Sequence, residues 1–182
     1  GIAEMIKHGL IHSIEYLEKV KSFDILKIAE LEDLIWESVL IKNDIITKDP
    51  FEKNIRKTLN YGHTLGHAIE SYSLDQNKFP VLLHGEAIAI GMILTNYISF
   101  IQLGFPEQTL SDTSHYIIKK FNKYIFSKED INAIINLLKF DKKNYNDKVL
   151  FVLLNDIGNY KLNCEVSNSL LLEAFEYYKN YK

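Results

Sequence analysis

The sequence predicts a mainly α-helical fold, an irregular multi-helix bundle that carries one small β-hairpin. Apolar residues recur at helical spacing over Ile28–Ile46, and Ala87–Phe105 has no charged side chain. The hairpin signal is a glycine-containing turn, Asn155–Gly158, between two short apolar runs. No glycine-rich phosphate loop follows a predicted strand, so a nucleotide-binding α/β domain is not expected within residues 1–182. We expect these residues to form a single domain of roughly seven to nine helices.

Composition and charge exclude several classes of protein. The chain of 182 residues is 47% hydrophobic and 25% charged, as expected of a soluble globular domain. Its net charge is -3 and its lysines are scattered among acids, so a nucleic-acid partner is not expected. The single cysteine, Cys164, cannot form an internal disulfide, which suits the cytoplasm. Ala87–Phe105 approaches the length of a membrane span, but Thr95, Asn96 and Ser99 favour a buried helix, and no membrane is expected.

The first half of the chain contains two long helical patterns. Gly1–Leu17 reads as a helix with a possible break near Gly9, and Ile28–Ile46 follows as the second helix. Pro50 cannot continue a helix and restricts the residue before it, so Thr47–Asn54 is expected to be a loop.

In the second half, glycine and proline separate the elements. Ser71–Val81 is polar and contains Pro80, which predicts a loop, and Gly104 ends the long apolar helix. Ser127–Asp130 has the pattern of a capping box. The later elements are a helix from Pro106 to about Phe121, a helix over Ile131–Leu138, strands at Val149–Leu154 and Asn159–Leu162, and a helix from Ser167 or Ser169 to about Tyr178.

Three of the six histidines lie in two nearby segments. If Thr58–Ile69 is helical, His63 and His67 project from one face one turn apart, and His84 begins the next segment. Two histidines with a third at a distance are typical of a metal site. Because this spacing also occurs by chance, helix-capping or core imidazoles stay open as the alternative.

Two glycines have the same spacing as these histidines. Gly62 and Gly66 each cost a helix roughly 1 kcal/mol relative to alanine. Their presence therefore indicates close approach by a ligand or by another backbone.

Charged residues near the start of the chain form a second candidate group. Glu4 and Lys7 share a helix face, and a solvated charged face is the simplest interpretation. Lys42 falls on or beside the apolar face of its helix, where an ammonium group is costly unless an anion meets it. A lysine that extends its ammonium group into water remains the alternative.

The remaining charged candidates lie near the histidine motif and near the C-terminus. Arg56 has the planar donor fork that suits a phosphate or carboxylate, although an ion pair with Glu52 one turn away stays open. Lys142 and Lys143 follow a predicted helix, and two lysines in a loop are usually solvated.

Four separated motifs together resemble the 3-dehydroquinate synthase family. They are Asn60–Glu70 (NYGHTLGHAIE), Leu83–Ala87 (LHGEA), Gly1–Lys7 (GIAEMIK) and Asp141–Lys143 (DKK). They occur in the order found in that family and cover nearly the whole chain. What they resemble is the C-terminal, metal- and substrate-binding domain, so an upstream NAD-binding α/β domain is expected to be absent from these 182 residues.

The resemblance implies roles for individual residues. It assigns Glu4, His63 and His84 as ligands of zinc or another divalent metal. An open coordination position beside three protein ligands is the arrangement of a catalytic site. The resemblance also places the following residues at the substrate: His67, Lys7, Lys42, Arg56, Asn60 and Glu52, with Lys142 and Lys143 at the phosphate end.

The resemblance further implies an activity. It is conversion of 3-deoxy-arabino-heptulosonate 7-phosphate to 3-dehydroquinate and phosphate, in the shikimate pathway, with NAD supplied through the missing domain. Residues 1–182 are expected to be inactive alone and to belong to a cytoplasmic homodimer. Three alternatives stay open: a related sugar-phosphate cyclase, a metal-dependent polyol dehydrogenase, or a non-catalytic helical module clipped by a metal.

Overall fold

The computed structural model describes residues 1–23, 27–75, 81–140 and 149–181. Within these ranges it contains eight α-helices, a short 3₁₀-helix and one two-stranded sheet, which confirms the predicted fold class. In chain order the elements are α1 (Ile2–His12), α2 (Ile14–Ser22), α3 (Ile28–Lys48), the 3₁₀-helix (Ile55–Asn60), α4 (His63–Asp75), α5 (His84–Leu103), α6 (Glu107–Lys120), α7 (Lys128–Phe140), β1 (Leu150–Asp156), β2 (Asn159–Glu165) and α8 (Asn168–Asn180).

Helix α5 is the central element, and it contacts α1, α4, α6, α8 and β1. It is long and apolar enough to cross a membrane, but 67% of its most apolar window is buried inside the protein, as expected of a core helix. Two of its buried polar side chains are paired: the Thr95 hydroxyl donates to the Gly91 carbonyl at 2.7 Å, and the Ser99 hydroxyl accepts from the Leu154 N–H at 3.1 Å. The prediction of a buried helix is therefore confirmed.

The N-terminal helix breaks at Ser13, and the expected break near Gly9 is wrong. Ser13 is extended (φ -156°, ψ 150°), and its hydroxyl accepts the Tyr16 N–H at 3.3 Å. The serine therefore caps α2. Gly9 continues α1, where a Cβ atom would lie 2.8 Å from Leu17, so the glycine allows α1 and α2 to pack closely.

The histidine motif begins a helix, and the expected helix over Thr58–Ile69 is wrong at its start. The chain forms a 3₁₀-helix to Asn60 and turns at Gly62, whose φ of +73° is a left-handed conformation that favours glycine. His63 is consequently the first residue of α4.

Helix α4 also runs further than predicted, through Ser71–Asp75, a stretch expected to be a loop. Tyr72 explains the extension because it is buried and its hydroxyl donates to Asp130 Oδ1 at 2.6 Å. This contact joins α4 to α7.

The capping box predicted at Ser127–Asp130 is confirmed. The Asp130 carboxylate accepts the Ser127 N–H at 2.7 Å, and the Ser127 hydroxyl accepts the Asp130 N–H.

Three glycines allow the backbones of α4 and α5 to touch. A Cβ atom added to Gly91 would lie 2.1 Å from the Gly62 carbonyl oxygen and 2.7 Å from the Gly66 nitrogen. A Cβ atom on Gly66 would in turn lie 3.0 Å from the Ile88 Cα. The close approach predicted from the glycine spacing is thus to another backbone, and it brings the start of α4 against α5.

The hairpin supports the C-terminal end of α1. Its strands pair antiparallel, from Leu150 opposite Glu165 to Asp156 opposite Asn159. At the turn, the Gly158 N–H donates to the Leu10 carbonyl at 2.9 Å, and a Cβ atom on this glycine would lie 2.6 Å from the His12 carbonyl oxygen. The hairpin therefore fixes the helix that carries Glu4 and Lys7.

We predict that Gly91→Ala lowers the free energy of unfolding by at least about 2 kcal/mol, because the new methyl group forces α4 and α5 apart. Urea denaturation followed by circular dichroism measures this change. Gly85→Ala is the control on the same helix, since its Cβ atom would meet only Ala3 Cβ at an ordinary 3.7 Å. Equal stability of Gly91→Ala and wild type would contradict the close-packing argument.

Candidate active site

The structure brings three histidines together at the N-terminal ends of α4 and α5. His63 and His67 lie one turn apart on α4, and His84 is the first residue of α5. One ring nitrogen from each lies within 4.8 Å of the other two, a separation at which the three could share a metal ion. His63 is 12% exposed and His84 51% exposed, so the cluster opens towards solvent on one side.

Helix α1 places a carboxylate and an ammonium group beside this cluster. Glu4 Oε1 lies 3.0 Å from His63 Nε2, and Glu4 Oε2 accepts a hydrogen bond from Lys7 Nζ at 2.8 Å. The Lys7 side chain is only 2% exposed. A solvated charged face, the simplest interpretation of this spacing, is therefore not found, since the Lys7 side chain and the Glu4 Oε1 atom are both buried.

Glu4 and Lys7 each stabilise the charged form of the other. Burial on its own raises the pKa of Glu4, but the adjoining His63 ring and the Lys7 ammonium outweigh it and hold that pKa well below its usual range. Burial lowers the pKa of Lys7, while Glu4 raises it and the nearby Lys42 lowers it further. Glu4 is accordingly an ionised carboxylate at neutral pH.

Two acceptors orient the histidine rings. His63 Nδ1 lies 3.1 Å from the Tyr61 carbonyl oxygen, and His84 Nδ1 lies 3.0 Å from Glu70 Oε2. When each Nδ1 carries the proton, each Nε2 is left with a lone pair that can bind a metal, which is the usual arrangement behind metal-ligating histidines. Sequence reasoning missed Glu70. Its spacing was a usable signal, because it follows His67 by three residues on the same helix face.

The residues present fit a divalent metal. Glu4 Oε1 is buried and, among the described residues, makes no hydrogen bond, although His63 Nε2 lies 3.0 Å from it. Two ligands of one tetrahedral zinc lie roughly 3.4 Å apart when each bond is about 2.1 Å long. The three histidines lie within reach of one ion, and Glu4 lies beside one of them, His63, so the group offers one more potential ligand than the three protein ligands of a catalytic site.

The remaining substrate candidates that the structure describes lie on α3 and in the segment between α3 and α4. Lys42 is exposed on α3, close enough for its charge to lower the pKa of Lys7. The Arg56 guanidinium donates to the Pro50 carbonyl at 2.7 Å, and Asn60 Nδ2 donates to Glu52 Oε1 at 2.7 Å. Glu52 precedes the 3₁₀-helix, so the intrahelical Glu52–Arg56 pair that the spacing left open is replaced by these two contacts. Lys142 and Lys143 lie outside the described residues.

His8 is a buried histidine that sequence reasoning did not single out. It is 2% exposed, and its Nδ1 lies 2.7 Å from the Ser38 hydroxyl on α3. Its Nε2 is buried and makes no hydrogen bond to any described residue. Burial, followed by the charge of Lys7, lowers the pKa of His8 to about 4, so the ring is neutral at physiological pH.

Solved structures with this fold define the class of protein. A 2-deoxy-scyllo-inosose synthase, solved with carbaglucose-6-phosphate, NAD+ and Co2+, matches 100% of this chain and 52% of its own with a TM-score of 0.75 at 26% identity. A 2-epi-5-epi-valiolone synthase from Streptomyces hygroscopicus, at 16% identity, shares the fold over 99% of this chain and 50% of its own with a TM-score of 0.74. The fold is that of the sugar-phosphate cyclases. Within this class, residues 1–144 match the family described as 3-dehydroquinate synthase C-terminal, and the chain belongs to that family.

Individual relatives carry the same name. The 3-dehydroquinate synthase of Parabacteroides distasonis is 39% identical over 181 residues, covering 98% of this chain and 51% of the relative. That of Helicobacter pylori strain G27 is 34% identical over 97% of this chain and 50% of the relative. The chain thus spans about half the length of these relatives.

We predict that Glu70→Ala weakens zinc binding by about 10- to 100-fold, because His84 Nδ1 loses the carboxylate that orients its ring. Competition with a chromophoric chelator measures the dissociation constant. Glu173→Ala, an exposed carboxylate on α8, is the matched control and should bind zinc as wild type does. An unchanged affinity in Glu70→Ala would show that Glu70 does not hold the ligand.

We also predict an acid-sensitive contribution from His8. The unfolded chain takes up this proton near pH 6.5, whereas the folded protein excludes it down to about 4. Stability from this group is therefore complete above pH 6.5 and is lost as the pH falls towards 4, by at most about 3 kcal/mol. Urea denaturation across this range gives the free energy of unfolding at each pH. Its slope against pH should be shallower for His8→Gln than for wild type. The exposed His115→Gln should keep the wild-type slope, and identical slopes for all three proteins would contradict the assignment.

Proposed function

We propose that this chain is the metal- and substrate-binding half of a 3-dehydroquinate synthase that converts 3-deoxy-arabino-heptulosonate 7-phosphate to 3-dehydroquinate and phosphate. The observation that carries the proposal is the convergence of His63, His67 and His84 beside the ionised Glu4. Membership of the family supports it. A non-catalytic metal clip does not account for a buried lysine beside these ligands.

In this proposal Glu4, His63 and His84 hold a divalent metal, with zinc as the first choice. Held there, the metal would act as a Lewis acid, which would lower the pKa of a substrate hydroxyl and polarise a neighbouring carbonyl. The protein holds the ligands in place through Glu70 and the Tyr61 carbonyl, so little reorganisation accompanies binding.

The cationic residues bind the substrate's two anionic groups. Lys42 lies close enough to Lys7 for its charge to lower the pKa of Lys7, and Arg56 lies on the 3₁₀-helix that precedes α4. Such a group of positive charges favours a ligand with a carboxylate and a phosphate. Asn60 adds an amide donor, positioned by Glu52. Lys142 and Lys143 are assigned to the phosphate end by their motif alone.

His67 has a separate role in this proposal. It shares a helix face with His63, and their ring centroids are 5.3 Å apart. If Glu4, His63 and His84 bind the metal, the His67 imidazole lies beside the bound substrate. There it hydrogen-bonds the substrate or moves a proton, as an imidazole can near neutral pH.

The nucleotide belongs to another part of the protein in this proposal. Residues 1–182 act as one metal- and substrate-binding domain, and NAD, which takes and returns a hydride, is held by an α/β domain outside them. The half-length match to the relatives supports this division, as does the NAD+ in the solved 2-deoxy-scyllo-inosose synthase. The full-length protein is proposed to be a cytoplasmic homodimer.

A related sugar-phosphate cyclase is the second candidate. It is favoured by the similarity over 100% of this chain to the 2-deoxy-scyllo-inosose synthase structure, which contains carbaglucose-6-phosphate. Such an enzyme would use the same metal chemistry on a different sugar phosphate. The two candidates differ in the product that accompanies phosphate release.

We predict that the full-length protein, with a nucleotide-binding half restored, releases phosphate from the heptulosonate phosphate in the presence of NAD and zinc. His63→Ala should lose this activity and should weaken zinc binding by more than about 100-fold, since one of three ligands is removed. A coupled phosphate assay, product identification by NMR and a zinc titration of the 182-residue chain test these outcomes. His115→Ala, on the exposed face of α6, is the matched control.

Two results would count against the proposal. Unchanged zinc affinity in His63→Ala would remove the metal assignment. A folded, zinc-loaded protein that releases no phosphate from this substrate, but does so from another sugar phosphate, would favour the related cyclase.

A further inference from the structure

A buried carboxylate lies at the base of the loop that carries the candidate substrate residues. Asp49 ends α3 and is 7% exposed. Its Oδ1 accepts the Lys53 N–H at 3.0 Å, and its Oδ2 accepts the N–H groups of Asn54 at 2.6 Å and Arg56 at 3.1 Å. One side chain therefore binds three backbone donors spread over four residues of the loop.

The loop held in this way is strained. Glu52 has a φ of +55°, a left-handed conformation that is uncommon for a residue with a side chain. Such a conformation persists only where surrounding contacts enforce it. Here the Glu52 N–H donates to the Asp49 carbonyl at 3.3 Å, and the Glu52 carboxylate accepts from Asn60 at 2.7 Å. Both the backbone carbonyl and the side chain of Asp49 thus accept hydrogen bonds from the same loop.

The geometry assigns Asp49 as a positioning residue for Arg56. The carboxylate fixes the Arg56 backbone, and the Pro50 carbonyl beside it accepts one guanidinium N–H at 2.7 Å. The rest of the guanidinium fork is thereby pre-set for a carboxylate or phosphate, and less side-chain entropy is lost when that anion binds. This inference rests on the substrate-binding role proposed for Arg56, and it adds a residue that contacts no substrate.

The ionisation state of Asp49 agrees with this role. Burial on its own raises the pKa of Asp49, but the three backbone N–H groups, together with the Arg56 charge, hold it below its usual value. The side chain is therefore a full carboxylate at neutral pH, and hydrogen bonds to a carboxylate are stronger than those to a neutral amide.

The test compares Asp49→Asn with Asp44→Asn, the same substitution at an exposed α3 residue that pairs with Lys48. The probe is phosphonoacetate, which carries both a carboxylate and a phosphonate, titrated into the metal-free 182-residue chain by calorimetry. We expect Asp49→Asn to weaken binding by about tenfold, because charge-assisted hydrogen bonds that place Arg56 are lost. Asp44→Asn should bind as wild type does.

A double-mutant cycle separates positioning from general stabilisation. If Asp49 acts through Arg56, Asp49→Asn should change the affinity by less than about twofold in an Arg56→Ala background. An equal loss in both backgrounds overturns the inference, as does a fall in Tm with unchanged affinity. If Asp49→Asn does not fold, Asp49→Ser, whose hydroxyl still accepts one N–H, is used with the same criteria.

The outcome is distinguishable from failure of the proposed function. The zinc titration depends on residues of α1, α4 and α5, whereas this titration depends on Asp49 and Arg56 and contains no metal. A wild-type chain that binds zinc but not phosphonoacetate overturns the positioning role and leaves the metal site intact. A chain that binds phosphonoacetate through Arg56 but does not bind zinc supports the positioning role and overturns the metal site.

Discussion

Backbone contact between α4 and α5 is the constraint on which the site depends. Gly91 lies against Gly62 and Gly66 with no room for a single methyl group. Because His63 directly follows Gly62 and His84 begins the second helix, the same contact sets the distance between their rings. If the two helices lay further apart, each imidazole would keep its place on its own helix, but His84 would no longer lie close to His63 and His67.

The second organising feature is the balance of charge around Glu4. A lysine that is 2% exposed would be costly alone, and so would a carboxylate with one buried oxygen that no described residue meets with a hydrogen bond. Together they form an ion pair whose remaining carboxylate oxygen faces His63. The arrangement is stable without substrate yet leaves an acceptor oriented towards a cation.

Much of this could be predicted from the sequence, because the signals are local. The helical periodicities, the capping box at Ser127 and the paired spacing of the glycines and histidines all predicted features that the structure contains. Boundaries were less predictable where a distant partner decides them. The extension of α4 depends on Tyr72 reaching Asp130, which lies 58 residues away.

The residues that the sequence did not predict also depend on partners that are distant in the sequence. Glu70 matters because it meets His84 across two helices, and His8 is buried because Ser38 on α3 meets it. The spacing placed Glu70 on the same helix face as His67 but did not show that His84 is its partner. Neither residue type nor spacing indicates Ser38 as the partner of His8. Asp49 could be read only as a helix breaker beside Pro50 until the three N–H groups it binds were located.

The order of the candidate ligands along the chain has a consequence for folding. Glu4, His63 and His84 come from three separate helices. The complete site can therefore form only after the long chain segments between these helices have closed into loops. A metal ion bound to all three would act as a cross-link between distant segments, and its affinity would report whether the domain has reached its native topology. Metal occupancy in a cell would then distinguish finished molecules from partly folded ones.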